Sequence, residues 1–101
     1  MAKVFVTEYA QALIMEGRQL PVGVEPPLAV QVVAIGGASA ASSAFNAKTK
    51  FIEIHTDAIM SYTIAADPTA TANHARMAAN TTKFVGVPRG TTHKIAVITN
   101  T

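Results

Sequence analysis

The strongest constraint on this chain is a series of short β-rich runs, none longer than eight residues, separated by turn-forming residues. The run FIEIHT alternates strictly, so that Ile52 and Ile54 share one face of a strand and polar residues occupy the other. Seven such runs occupy residues 3–7, 28–35, 51–56, 60–64, 75–79, 83–87 and 94–99. Short strands joined by turns predict an all-β fold, a β-sandwich or barrel of about seven to eight strands.

Two of these runs are apolar on both faces. The run LAVQVVAI at 28–35 is long enough for a strand and is predicted to be buried. The run KIAVIT at 94–99 also carries apolar residues at successive positions. We therefore expect it to be central in its sheet or covered by a neighbour.

Two segments are compatible with either a helix or a strand. In residues 7–16, Tyr9, Leu13 and Glu16 follow helical spacing, although a strand fits this segment equally well. Residues 73–80 (NHARMAAN) hold several good helix formers, and they overlap the run of small residues at 75–79. The sequence alone leaves both segments open.

Two further segments are predicted to be loops of a single domain that spans residues 1–101. Residues 17–27 (GRQLPVGVEPP) hold three prolines and two glycines, which excludes a central strand. Residues 36–47 (GGASAASSAFNA) have the composition of a linker or mobile arm. We expect both loops to lie outside the sandwich core and to contact partners.

The composition favours a protein whose surface is covered by other proteins. Half of the residues are hydrophobic, whereas 14% are charged, compared with about 25% in typical soluble domains. Such a chain has few charges with which to cover its surface, so we expect contacts with partners and with copies of itself. No apolar run approaches the roughly 18 residues of a membrane span. The absence of cysteine excludes disulfides and a thiol nucleophile.

The charges are unevenly distributed along the chain. All six acidic residues precede residue 68, and the basic residues beyond that point are Arg76, Lys83, Arg89 and Lys94. These four are the candidate partner-binding residues, because a basic end can dock on an acidic partner. The alternative is four scattered, solvated charges. They are too sparse, and aromatic residues too few, to predict nucleic-acid binding.

A metal site is the sharpest enzymatic alternative. His55 and Asp57 stand two apart at a strand end, and with His93 they would supply two histidines and a carboxylate, as in non-haem iron oxygenases. PRGTTH, residues 88–93, also matches the centre of the second motif of the cupin family. The first cupin motif lacks its second histidine and its glutamate, and VPRG suits a type I turn. We therefore expect no catalytic residue, metal or cofactor.

The second half of the chain resembles a family of virion proteins. Between residues 42 and 98, one strand ends in HTDA, the next ends in ADPTATA, and FVGVPRG precedes a final KIAVI. This order and close spacing resemble small virion proteins of tailed bacteriophages, in particular head decoration or cement proteins. The resemblance implies a jelly-roll-like β-sandwich without catalytic residues.

The resemblance also implies partners and a location. The protein would bind the major capsid protein and copies of itself, as a homodimer or homotrimer, on the capsid surface of a virion assembled in the host cytoplasm. Nucleic acid and membranes are not among the implied partners. Tail, connector and head-fibre proteins could use the same fold. A carbohydrate-binding sandwich would need clustered aromatic residues, and a cupin-like metal enzyme remains the enzymatic alternative.

Overall fold

The computed structural model describes residues 2–10, 12–15, 18–23, 27–87 and 93–100, and within these ranges it contains strands and no helix. The ten strands are β1 (Lys3–Tyr9), β2 (Ala12–Met15), β3 (Arg18–Gly23), β4 (Ala29–Ala34), β5 (Ala40–Ala41), β6 (Phe51–Thr56), β7 (Met60–Ala65), β8 (Ala75–Met77), β9 (Thr81–Gly86) and β10 (Lys94–Thr99). Each of the seven predicted runs overlaps one of these strands.

Eight of the strands form two four-stranded antiparallel sheets. The first sheet has the order β4-β1-β6-β9 and the second the order β5-β10-β7-β8. From β4 onward the chain passes repeatedly between the two sheets, so most neighbours within a sheet are distant in sequence. This arrangement confirms the predicted all-β, jelly-roll-like sandwich.

The hydrophobic core lies between the two sheets and follows from alternation along the strands. In β1, Val4 and Val6 point into the core, and they are completely buried. The same alternation buries Ile52 and Ile54 of β6. From the second sheet and the connecting segments, the core receives Met60, Tyr62, Met77, Ile95, Val97, Phe45 and Val87. Strand β10 lies between β5 and β7, so the first of the two alternatives predicted for it, a central position in its sheet, is the one observed.

The two segments with helix-compatible patterns form strands instead. In residues 7–16, β1 extends to Tyr9 and β2 follows from Ala12. In residues 73–80, Ala75–Met77 pairs with β7 as strand β8. Pairing with a neighbouring strand overrides the helix propensity of alanine and methionine in these short segments.

The predicted loop at 17–27 contains strand β3, which pairs with β2 in a separate two-stranded ribbon. For residues 18–23 the exclusion from a central strand is therefore confirmed, whereas the description as a loop is wrong. Residues 17 and 24–26 lie outside the described residues. A ribbon accepts Pro21 because a strand with a free edge need not donate every backbone N–H group.

The predicted loop at 36–47 is part of the sandwich. Ala40–Ala41 forms β5 on β10, and Phe45 is buried in the core. The Ser42 N–H donates to the Ile95 carbonyl (2.8 Å), and the Phe45 N–H donates to the His93 carbonyl (2.9 Å). The expectation that this segment lies outside the core is therefore wrong. The buried Phe45 ring and the two-residue pairing of β5 with β10 anchor the segment to the sandwich.

A buried carboxylate fixes the other side of this segment. Glu8 is 1% exposed and faces the sandwich interior from the end of β1. One of its oxygens accepts hydrogen bonds from the Asn46 N–H (2.7 Å) and the Thr49 hydroxyl (2.8 Å), and the other accepts one from Gln31 Nε2 (2.9 Å). Gln31 Oε1 in turn accepts from the Ser43 N–H (2.9 Å). The segment thus closes one side of the sandwich, between β10 and the β4–β1 edge.

The outer face of the second sheet is partly covered by the chain itself. In the β7–β8 connection, the Ala70 N–H donates to Ser39 Oγ (2.8 Å), and the Ala72 carbonyl accepts from Asn100 Nδ2 (3.2 Å). Ser61 and Ala96, which point outward from this sheet, are completely buried. The two outer faces of the sandwich therefore differ, and the first sheet has the more open one.

Candidate docking surface

The outer face of the first sheet carries five exposed or half-buried apolar side chains, which we call the apolar face: Phe5, Val30, Val32, Phe51 and Phe84. Val30 and Val32 of β4 are 57% and 55% exposed, and Phe84 of β9 is 42% exposed. These three side chains face outward because side chains alternate along a strand, and adjacent residues such as Val33 and Val85 face the core. Several exposed apolar side chains on one face of a sheet favour an interaction site there.

Aromatic rings cluster at one end of this face. Tyr9 stacks on Phe51 with ring centroids 5.2 Å apart, and Phe51 lies 6.3 Å from Phe84. The antiparallel register produces this row, because Tyr9 is opposite Phe51 and Phe51 is opposite Gly86 at the neighbouring edge. Glycine leaves open the space beside Phe51, into which the ring of Phe84 can lean.

Polar side chains interrupt the apolar face and fix its geometry. His55 lies 6.5 Å from the Phe5 ring and its Nδ1 hydrogen-bonds Thr82 Oγ1 (2.9 Å). The Tyr9 hydroxyl donates to Glu53 at 3.5 Å. A surface that combines aromatic rings with a few polar groups resembles the centre of a protein interface.

Sequence reasoning missed this surface because it predicted burial for the whole 28–35 run. Among the described residues β4 pairs with β1 alone, as an edge strand, and Val33 and Ile35 are the residues of this run that reach the core. The prediction of burial on both faces is therefore wrong. The available signal was the alternation in KVFVT and FIEIHT, which already placed Phe5 and Glu53 on a face away from the core.

The three candidate metal ligands do not share a common site among the described residues. His55 Nδ1 contacts Thr82, and Asp57 Oδ1 accepts the Lys3 N–H at 2.8 Å. His93 Nδ1 is buried and has no hydrogen-bond partner among the described residues. Within the ranges that the structure describes, no three histidine, cysteine, aspartate or glutamate side chains converge as a metal site. Residues 88–92 of the cupin-like motif lie outside the described residues, and the expectation that no metal binds stays a prediction.

The three candidate basic residues that the structure describes do not form one patch. Arg76 of β8 and Lys94 of β10 lie on the second sheet, opposite Ser61 and Ala65 of β7. Lys83 of β9 holds its ammonium 5.3 Å from the centre of the Tyr62 ring, at the side of the sandwich, where the contact is a cation–π interaction. Arg89 lies outside the described residues.

Membrane-spanning helices are absent from the described part of the chain. Comparisons with protein-family models, curated proteins and solved structures give no match to this sequence.

Proposed function

We propose that this protein is a capsid decoration or cement protein of a tailed bacteriophage. It binds the major capsid protein and copies of itself on the outside of the head, and it stabilises the shell. The observation that carries this proposal is the apolar face, because the sandwich already has a complete core and still exposes Val30, Val32 and Phe84. In this role the chain uses no catalytic residue and no cofactor.

Two sequence properties support the same role. The pattern between residues 42 and 98 resembles head decoration proteins, and a jelly-roll-like sandwich is the fold that this resemblance implies. The low charge content is expected for a protein whose surface is covered by neighbouring subunits in an assembly. The protein would be synthesised in the host cytoplasm and would act as part of the virion.

The apolar face is the proposed contact with the capsid. A standard interface buries about 1,600 Å² in total, and its energy is concentrated in a few central apolar or aromatic residues. The aromatic row supplies such a centre, while Glu53 and His55 offer polar contacts beside it. Many copies bridging neighbouring capsomers would raise the barrier to rupture even if each contact is weak, because several contacts must break together.

The direct test is to heat virions with and without the protein and to record DNA release with a DNA-binding dye. We expect stripped virions to release DNA at a lower temperature, and readdition of purified protein to restore the difference. Phe84→Lys should prevent this restoration, because a charge would be buried in the contact. Ala78→Lys, at an exposed position in the β8–β9 connection, is the matched control.

Two results would redirect the proposal. If stripped and decorated particles release DNA at the same temperature, the cement role is wrong, and a tail, connector or head-fibre role becomes the better explanation. Immunogold electron microscopy of the virion would then locate the protein. Tightly bound iron, manganese or zinc that is lost in His93→Ala would instead favour the cupin-like enzyme.

A further inference from the structure

Among the described residues, strand β4 pairs with β1 on one side and with no strand on the other, so it forms an open edge of the first sheet. β4 has six residues, AVQVVA, with no charge, proline or glycine. The other edges of the two sheets are shorter or carry charge: β5 has two residues, β8 has three including Arg76, and β9 includes Lys83 and Gly86. Natural proteins protect edge strands with charges, proline, bulges or short length, and β4 has none of these.

The backbone groups along this edge are arranged to pair with another strand. The Ile35 N–H donates to the Ala2 carbonyl (3.0 Å), and in an antiparallel pair every second residue bonds to the same neighbour. The N–H and C=O groups of Val30, Val32 and Ala34 therefore point away from β1. Their side chains share the outer face, where both valines are more than half exposed.

We infer that β4 pairs antiparallel with β4 of a second copy of this chain, which joins two first sheets into one eight-stranded sheet. The strand is complementary to itself because it carries no charge that would repel its copy. A two-fold axis at Val32 lets all three outward-pointing residues pair, with Val32 opposite the partner's Val32 and Val30 opposite the partner's Ala34. Cross-strand pairs of β-branched residues stabilise such a contact.

This inference deepens the proposed function, because it assigns the self-association in that proposal to one edge. Pairing at β4 would make the apolar faces of two copies continuous and double the area offered to a capsid. The strand contact alone is smaller than a standard interface, so the free dimer should be weak, with a Kd in the micromolar range. Binding side by side on a capsid would favour the same pairing at lower concentration.

Site-directed cysteines test the register directly, because the chain contains no cysteine of its own. In an antiparallel hydrogen-bonded pair, opposite Cα atoms lie about 5.5 Å apart, within the range that a disulfide spans. Val32→Cys should therefore form a disulfide-linked dimer when the free protein is oxidised by oxidised glutathione. Thr82→Cys is the control, since Thr82 is exposed and lies in the same cross-strand row at the opposite edge.

A second pair of variants tests the energetics by sedimentation equilibrium. Val32→Lys should weaken the dimer at least about tenfold, because it would place like charges opposite each other. Thr82→Lys should leave the dimer unchanged, and circular dichroism should show that both variants fold. Equal cross-linking of the two cysteine variants, or a wild-type protein that stays monomeric at millimolar concentration, would overturn the inference. These experiments use free protein, so their failure is distinguishable from failure of the capsid test.

Discussion

Glu8 shows how much one buried polar residue can organise in a small sandwich. A buried carboxylate is costly unless its oxygens are hydrogen-bonded, and here both oxygens accept bonds. The donors are a side chain of β4 and two residues of the connection before β6. This single residue therefore joins three separate parts of the chain.

We predict that Glu8→Gln destabilises the fold by about 2–3 kcal/mol, as expected for the loss of hydrogen bonds to a charged group. If the amide oxygen of the new glutamine accepts the hydrogen bonds from Asn46 and Thr49, the amide NH2 group of that glutamine faces Gln31 Nε2. Both groups are donors, so the hydrogen bond between them is lost. Gln31 is held in place because its Oε1 already accepts from Ser43. Urea unfolding measures the change.

Glu53→Gln is the matched control for Glu8→Gln. Glu53 is partly exposed on the outer face and accepts the Tyr9 hydroxyl at 3.5 Å. Its substitution should change the unfolding free energy by no more than about 0.5 kcal/mol. Equal losses for the two variants would contradict a special role for the buried carboxylate.

Asn80 gives a second prediction at this scale. It has a φ of 58° in the β8–β9 connection, and its N–H donates to the Thr56 carbonyl at 2.8 Å. Asn80→Val should destabilise the protein by about 1–2 kcal/mol, because β-branched residues disfavour the left-handed region. Asn80→Gly should be tolerated, since glycine adopts this conformation readily. Thermal unfolding of the two variants would test the assignment, and an equal drop in Tm would argue against it.

At the scale of the elements, the segment from residue 36 to residue 50 contains both exposed residues and residues that are hydrogen-bonded to the sandwich. Gly37 is exposed, whereas Ser42 and Phe45 donate backbone hydrogen bonds to the β10 side of the sandwich. We predict slow amide hydrogen exchange at Ser42 and Phe45 and rapid exchange at Gly37. Mass spectrometry or NMR measures these rates, and uniformly rapid exchange would contradict the anchoring.

Phe45→Ala tests the same anchor by mutation. Removal of a buried phenylalanine ring should cost about 3–5 kcal/mol and should accelerate exchange at Ser42. Lys48→Ala, at an exposed position nearby, is the control and should alter neither quantity.

Seven of the ten strands could be predicted from the sequence because alternation is a local property, whereas β2, β3 and β5 were not predicted. Ile52 and Ile54 flank a polar residue, and such patterns need no knowledge of the partner strands. The order of strands could not be predicted, since β1 pairs with β4 and β6, which are far along the chain. The burial of Phe45 could not be predicted either, because the surrounding glycine, alanine and serine residues have the composition of a linker.

The apolar face was only partly predictable for the same reason. Whether LAVQVVAI is buried depends on its place in the sheet, and an edge position leaves Val30 and Val32 exposed. The basic residues illustrate the converse problem. Arg76 and Lys83 are close in the sequence, yet they belong to different sheets.

For the whole molecule, the position of Arg76 and Lys94 limits their contribution to capsid attachment. Packed sheets are about 10 Å apart, so charges on the second sheet lie at least about one Debye length at 0.1 M salt from the apolar face. We predict that Arg76→Glu combined with Lys94→Glu slows attachment about tenfold at low salt and has little effect at physiological salt. Surface plasmon resonance on immobilised capsids measures both rates.

Lys48→Glu combined with Lys50→Glu makes the same change in net charge at other exposed positions and serves as the control. An equal slowing by both pairs would show that net charge alone matters. A large loss at physiological salt from the Arg76 and Lys94 pair alone would place the capsid contact on the second sheet instead.

The uncharged edge at β4 also has a consequence before folding is complete. Sandwiches dominated by non-local pairings fold slowly, in about milliseconds to seconds, and β1 must find both of its distant neighbours. During that time the LAVQVVAI segment, with high β-propensity and no charge, is available to any other unfolded chain. Refolding yield should therefore fall as protein concentration rises, with aggregates as the product. A lysine at position 32 would act as a gatekeeper and recover much of that yield.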